Sequence, residues 1–252
     1  MNILLTNDDG IHAPGLLALY TALSRDHQVF VAAPELEQSA VGHSITLADP
    51  IRVKKINRNG GFFGYALSGA PADCVRLGAG ELMKEKPDLV VSGINQGANV
   101  GVNILYSGTA SAATEAAILG LPGLAVSLDS FKNPDFSLAA ETACRLAALI
   151  PGLELLPGTA LNVNVPALTR DKIKGVRWAG QCLVPSGEEF SRRVDPRGNV
   201  YYWRGKEIKP DVTDESTDFY LLSQGFITIT PLSYDLTRRS ELARLAPTII
   251  TI

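Results

Sequence analysis

Short apolar runs alternate with stretches of helical composition through the first 150 residues, and this alternation constrains the fold more than any other feature of the chain. The runs are Ile3-Leu4-Leu5-Thr6, Val29-Phe30-Val31-Ala32-Ala33, Leu89-Val90-Val91-Ser92 and Gly123-Leu124-Ala125-Val126-Ser127. Helical composition falls at residues 14–23, 71–83, 107–119 and 136–150. Nearly continuous apolar runs suit strands buried on both faces. Helices of ten or more residues between them are the crossovers that join parallel neighbours. The pattern predicts an α/β fold, a doubly wound and mostly parallel sheet. Such sheets bind ligands beyond the carboxyl ends of their strands, which directs the search for a site.

The pattern changes after residue 158. Leu161-Asn162-Val163-Asn164-Val165 alternates like a strand, and helix and strand composition return over residues 219–231. Between them, residues 185–214 are polar, with Arg192, Arg193, Arg197 and Arg204 around Tyr201-Tyr202-Trp203. A core rarely needs so long a polar excursion. It reads as a projecting β-hairpin whose aromatics pack on another subunit. The 252 residues are expected to form one α/β domain, 1–252, with a core of roughly 150–180 residues.

Composition removes several classes. With 23 Lys+Arg against 26 Asp+Glu the net charge is -3, so there is no basic field for a nucleic-acid duplex. Hydrophobic residues at 46% exclude a disordered chain. Cys74, Cys144 and Cys182 are odd in number and widely spaced, which fits neither a disulfide framework nor a CxxC zinc site and points to a reducing compartment. No apolar run approaches the roughly 18 residues of a membrane span. Ile3-Leu4-Leu5 stops too soon to be a signal core. The expectation is a cytoplasmic protein.

Three loops carry chemistry. Asn7-Asp8-Asp9-Gly10 follows the first strand, and two adjacent carboxylates there repel each other unless a divalent cation joins them. Oxygen donors suit Mg²⁺, Mn²⁺ or Ca²⁺. The same residues also favour a plain turn. Gly93-Ile94-Asn95-Gln96-Gly97-Ala98-Asn99-Val100-Gly101 follows the Leu89 run, and its glycines allow close backbone approach to a ligand. Tyr106-Ser107-Gly108-Thr109 opens the Ala-rich helix. There, free N–H groups and hydroxyls suit a phosphate, or else simply cap the helix.

Ser39, in the loop after the second run, is a weak candidate ligand or an ordinary loop serine. His12, three residues past the acid pair, is placed to orient water or phosphate; His27 sits in a turn and is expected to be exposed. His43 is the third histidine. There is no GxSxG elbow, no HExxH and no EF-hand spacing.

In combination these motifs resemble the SurE family, survival proteins that act as metal-dependent nucleoside monophosphate phosphatases. The resemblance runs in order through Asn7-Asp8-Asp9-Gly10, Ser39-Ala40-Val41-Gly42-His43-Ser44, Ala72-Asp73-Cys74-Val75, Ser92-Gly93-Ile94-Asn95 and Tyr106-Ser107-Gly108-Thr109. It continues into Asp195-Pro196-Arg197-Gly198 and Thr228-Ile229-Thr230-Pro231-Leu232. It implies a Rossmann-like core and one divalent cation per subunit, Mg²⁺ or Mn²⁺, held by Asp8, Asp9, Ser39 and Asn95. It also implies a C-terminal part exchanged between subunits of a homodimer or homotetramer. Two departures stand out: Ala110-Ser111 and Glu115-Ala116 where the family has Val-Gly and Glu-Gly, and Ala70 where it has Thr. Neither touches an implied metal ligand.

The expected reaction is hydrolysis of 5'- and 3'-nucleotides by metal-activated water. Asp8 and Asp9 are the catalytic residues, one of them taking the proton from that water. Asn99, Ser107, Gly108 and Thr109 are expected to hold substrate. Two alternatives use the same residues differently: a non-catalytic sensor of a nucleotide or phosphometabolite, and a scaffold in which the acid pair is only a turn.

Overall fold

The computed structural model describes residues 1–208 and 210–248. Lys209, inside the expected hairpin segment, and residues 249–252 lie outside them. β1 (Asn2–Thr6) leads to α1 (Pro14–Leu23) and β2 (Gln28–Pro34). Then come β3 (Val53–Arg58), β4 (Gly61–Leu67), α2 (Pro71–Leu77), β5 (Leu89–Gln96), α3 (Gly108–Ile118), β6 (Gly123–Asp129), α4 (Ser137–Leu149) and β7 (Thr159–Pro166). The C-terminal part adds β8 (Val176–Trp178), β9 (Gly187–Val194), β10 (Val200–Ile208), α5 (Asp218–Ser223), β11 (Ile227–Ser233) and α6 (Arg239–Leu245).

Among the described residues nine strands form one sheet in the order β3-β4-β2-β1-β5-β6-β7-β11-β8. From β4 to β7 every pairing is parallel. Beyond them β3 is antiparallel to β4 and β11 to β7, while the edge strand β8 runs parallel to β11. The strand order reverses between β1 and β5, so the crevice above their carboxyl ends is the switch point where such sheets take ligands.

Burial on both faces explains the continuous apolar runs. Ile3 and Leu5 face one side with Val91, Val126 and Val163, against Leu16 and Leu19 of α1 and Ala143 of α4. Leu4 faces the other side with Val90, against Val75 of α2 and Ala112 and Ala116 of α3. Ile3, Leu4 and Leu5 are all fully buried.

Three expectations need correction. β3 and β4 form a hairpin the apolar pattern did not reveal, because β3 is an edge strand and mostly exposed. Its signal was Asn59-Gly60, both at positive φ, the pairing that tight hairpin turns favour. The helix expected over 71–83 stops at Leu77 and gives way to a wider turn over 78–82, where Gly78 and Gly80 weaken the helix. β5 continues to Gln96, so Asn95 ends a strand instead of sitting in a loop, with a register shift between Gly93 and Asn95.

The hairpin of β9 and β10 is present and separate from the main sheet. The segments before and after it are fastened by Asp218, which is fully buried. Its carboxylate accepts from the backbone N–H groups of Gly101, Cys182 and Phe219 at 2.9, 2.9 and 2.8 Å. One side chain thus ties the loop after β5 to the start of the hairpin and to α5. Asp218→Ala strands these amides in the interior. It is expected to lower stability by at least about 1–3 kcal/mol, read as a lower urea midpoint at unchanged slope.

Candidate active site

The turn after β1 divides its work between residues. Asn7 is fully buried, and its Nδ2 donates to the Gly10 carbonyl at 2.9 Å, closing the turn. Asp8 and Asp9 are thereby left to project at the switch point. A plain turn would leave both in water, yet Asp8 is only 4% exposed and Asp9 is half-buried. Burial pushes the Asp8 carboxyl above its ordinary value; a hydrogen bond from Thr109 pulls it back, and the charge of Glu37 adds to the rise. Asp9 is pushed up to about 7 by burial and then by the charge of Asp8, against the backbone N–H of Gln96. Among the described residues neither carboxylate has an ion-pair partner.

The start of α3 is aimed at Asp8. Ser107 caps the helix, its Oγ accepting from the Ala110 N–H at 3.0 Å. The Thr109 hydroxyl donates to Asp8 Oδ1, and Thr109 is itself fully buried. Gly108 lies against the same carboxylate: a Cβ there would come within 2.7 Å of Asp8 Cβ and 2.9 Å of its Oδ2. Thr109 and Gly108 were expected to meet substrate phosphate. The structure spends them on Asp8, because a buried carboxylate claims the nearest donors. Ser107 both caps the helix and lines the cleft described below.

Ser39 lies on an exposed loop, and its hydroxyl donates to Glu37 Oε1 at 2.6 Å. The loop is pinned at several points. The Gln38 N–H donates to the Asp8 carbonyl at 2.7 Å, and the Gly42 N–H to the Tyr106 carbonyl at 3.0 Å. His43 Nε2 lies 2.7 Å from Glu115 of α3, which also meets Arg76 of α2 at 2.6 Å. The Thr46 hydroxyl donates to Asp73 at 2.7 Å. Sequence reading missed Glu37, Asp73 and Glu115 as supports. Glu115 had a signal: a lone carboxylate on an Ala-rich helix face, here 2% exposed.

Asn95 Nδ2 donates to the Gly97 carbonyl at 2.8 Å, which leaves Oδ1, the atom a cation would take, on the other limb of the amide. Asn99 is held by buried neighbours. Its N–H donates to Asn164 Oδ1 at 2.7 Å, its carbonyl accepts from Asn162 and Asn164, and its Nδ2 donates to Ser127 at 2.9 Å. Asn162 and Asn164 were read only as strand residues; their alternation puts both on one face, beneath the cleft.

Asp8, Ser39, Asn95, Asn99 and Ser107 all line one cleft of about 610 Å³, a usual size for a small-molecule site. Residues of the hairpin form part of its wall, Arg204 and Glu188 among them, paired at 3.5 Å. His12 is exposed and does not line the cleft, because the turn directs it to solvent. His27 sits before β2, at the other end of the strands, and is half-buried instead of exposed.

Among the described residues no three His, Cys, Asp or Glu side chains cluster as metal ligands. The donors here are two unneutralised carboxylates with a hydroxyl and an amide oxygen. Hard oxygen donors of this kind suit Mg²⁺ or Mn²⁺ and not a softer metal.

Comparison with known proteins gives the family and the fold. The family model described as Survival protein SurE matches residues 3–186. A protein of Syntrophobacter fumaroxidans named 5'-nucleotidase SurE is 54% identical over 237 residues, covering 94% of this chain and 95% of that one. One of the same name from Nitratidesulfovibrio vulgaris (strain Hildenborough) is 50% identical over 250 residues, covering 98% of each. The crystal structure of the SurE protein from Aquifex aeolicus superposes with a TM-score of 0.84 at 36% identity, covering 97% of this chain and 98% of that one.

The closeness of Gly108 to Asp8 is testable without an assay. Gly108→Ala must displace the carboxylate or the start of α3. It is expected to cost about 1–3 kcal/mol, as overpacking does. Denaturant unfolding measures the loss.

Proposed function

The chain belongs to the SurE family, and on that premise we propose that it hydrolyses nucleoside monophosphates, 5' and 3', to nucleoside and phosphate by attack of water. It is a nucleotidase, a phosphoric monoester hydrolase. The shared nucleotidase names of its relatives favour turnover over the sensor alternative. The observation that carries the mechanism is the acid pair at the switch point, buried and without an ion-pair partner among the described residues.

When bound by Asp8, Asp9, Ser39 and Asn95, one Mg²⁺ or Mn²⁺ per subunit supplies Lewis-acid chemistry, drawing charge from a phosphoryl oxygen and lowering the pKa of water. The residues of the chain do the rest. Thr109 fixes the rotamer of Asp8 through Oδ1. The carboxylate pair takes the proton of the attacking water as its oxygen bonds to phosphorus; the ester P–O bond breaks, and that proton passes to the departing sugar oxygen, releasing nucleoside and phosphate. Asn99 has one side-chain N–H committed to Ser127, so its side chain offers substrate the remaining Nδ2–H and Oδ1. Among the described residues lining the cleft, Arg204 is the cationic side chain, and it balances the dianionic phosphate against the acid pair.

Asp8→Asn is expected to keep the fold and lower kcat/KM by more than the ~10–100-fold that even outer-shell changes cost at metal sites. Chelation should abolish phosphate release from nucleotides, and Mn²⁺ or Mg²⁺ should restore it. An Asp8→Asn protein active without metal would overturn the mechanism.

The site of action proposed is the cytoplasm, where the three free cysteines stay reduced. The hairpin presents Phe190, Tyr202 and Trp203 to solvent, and we place a second copy of the chain on it, in a homodimer or homotetramer with exchanged C-terminal parts. Light scattering should give two or four chain masses. Trp203→Glu should shift that mass downward.

A further inference from the structure

We propose that Phe131 is the platform on which the nucleobase of the substrate stacks. The inference rests on the nucleotidase reading and names the part of the substrate that the acid pair does not hold.

Phe131 follows β6, in the loop at the carboxyl end of the strand that borders β5. It lines the same cleft as Asp8 and Asn99 while remaining 79% exposed. A lone exposed apolar side chain is ordinary on a protein surface; this one is held in place. Its ring tip rests on the backbone of Gly97: a Cβ added to Gly97 would lie 2.3 Å from Phe131 Cζ. Gly97 has φ +101°, and its N–H donates to the Leu128 carbonyl at 2.8 Å, so this turn is itself fastened to β6. The ring is thus seated by its edge with most of its surface open.

The glycine was expected to admit a ligand to the backbone. It admits the phenyl ring instead. Nearby, Val102 and Tyr106 line the cleft as well, and Tyr106 is 59% exposed. One cleft therefore combines the buried Asp8 carboxylate and oxygen donors with a fixed aromatic surface. A ligand that satisfies both has an ionic group and a flat, weakly polar ring system. Every base has a π-face, so stacking on phenylalanine binds all four and favours the larger purines.

The test compares holoenzyme carrying Phe131→Ala or Phe131→Leu with the unaltered protein. Substrates are AMP, CMP and ribose 5-phosphate, which lacks a base. The expected result is about a tenfold fall in kcat/KM for AMP, the size of one base–aromatic stack, carried mainly by KM. CMP should lose less and ribose 5-phosphate nothing. Phe131→Trp should retain AMP turnover. Equal losses on AMP and ribose 5-phosphate, or none on AMP, overturn the proposal. Calorimetric binding of adenosine separates the two readings. If adenosine binds and Phe131→Ala weakens it, the platform stands even should no nucleotide be hydrolysed. If the variant binds adenosine as tightly as the unaltered protein, or if adenosine does not bind, the platform falls while the nucleotidase reading is judged by turnover alone.

Discussion

Everything at the switch point depends on burying Asp8 against the first turn of α3. A carboxylate taken out of water is costly unless donors meet it, and the Thr109 hydroxyl does so. Gly108 allows the approach, since any side chain there would collide with Asp8. The positive end of the helix is directed at the same group. The sheet supplies the other half of the arrangement. Asp8 stands at the end of β1, and the strand order there puts β5, with Asn95, alongside. Asp8 is therefore rigid in a way Asp9, half-buried beside it, is not.

The fold was largely legible because burial on both faces leaves an unambiguous signature. Ile3-Leu4-Leu5 and Val90-Val91 have no polar face to show. Legibility failed where that cause was absent. β3 is an edge strand carrying Lys54 and Lys55 to solvent, so only its Asn59-Gly60 turn could have revealed it. At the site, the acid pair, Ser39, Asn95 and Asn99 were singled out from their places after strands, and the fold brings Asp8, Ser39, Asn95 and Asn99 to one cleft. Their partners were not. Thr109 is 101 residues from Asp8, and Asn164 is 65 from Asn99. Such pairings are consequences of topology, and nothing in local composition encodes them. Phe131 escaped notice for a related reason: its surroundings are polar, and only the fold brings it to Gly97.

A second theme is how much of the polar chemistry is structural. Asn162, Asn164 and Ser127 form a buried layer that holds Asn99, the two asparagines by its backbone and Ser127 by its side chain. Glu115 gathers His43 and Arg76, fastening the Ser39 loop to α2 and α3. Buried polar groups hydrogen-bonded in this way fix one arrangement among many that an apolar layer would allow. The flexible-looking loops are thereby made parts of the scaffold.

The hairpin has a different status. Among the described residues it makes no pairing with the main sheet, and β9 is exposed throughout. Yet Pro185, Ser186, Glu188, Arg204 and Gly205 are wall to the cleft. The volume and charge of the cleft are consequently shared properties: the α/β core supplies Asp8 and most of the lining, and the hairpin supplies Glu188 and Arg204. One wall is thus set by where the hairpin rests, anchored at its base by Asp218, so a contact made with the outer face of that arm bears on the cleft as well.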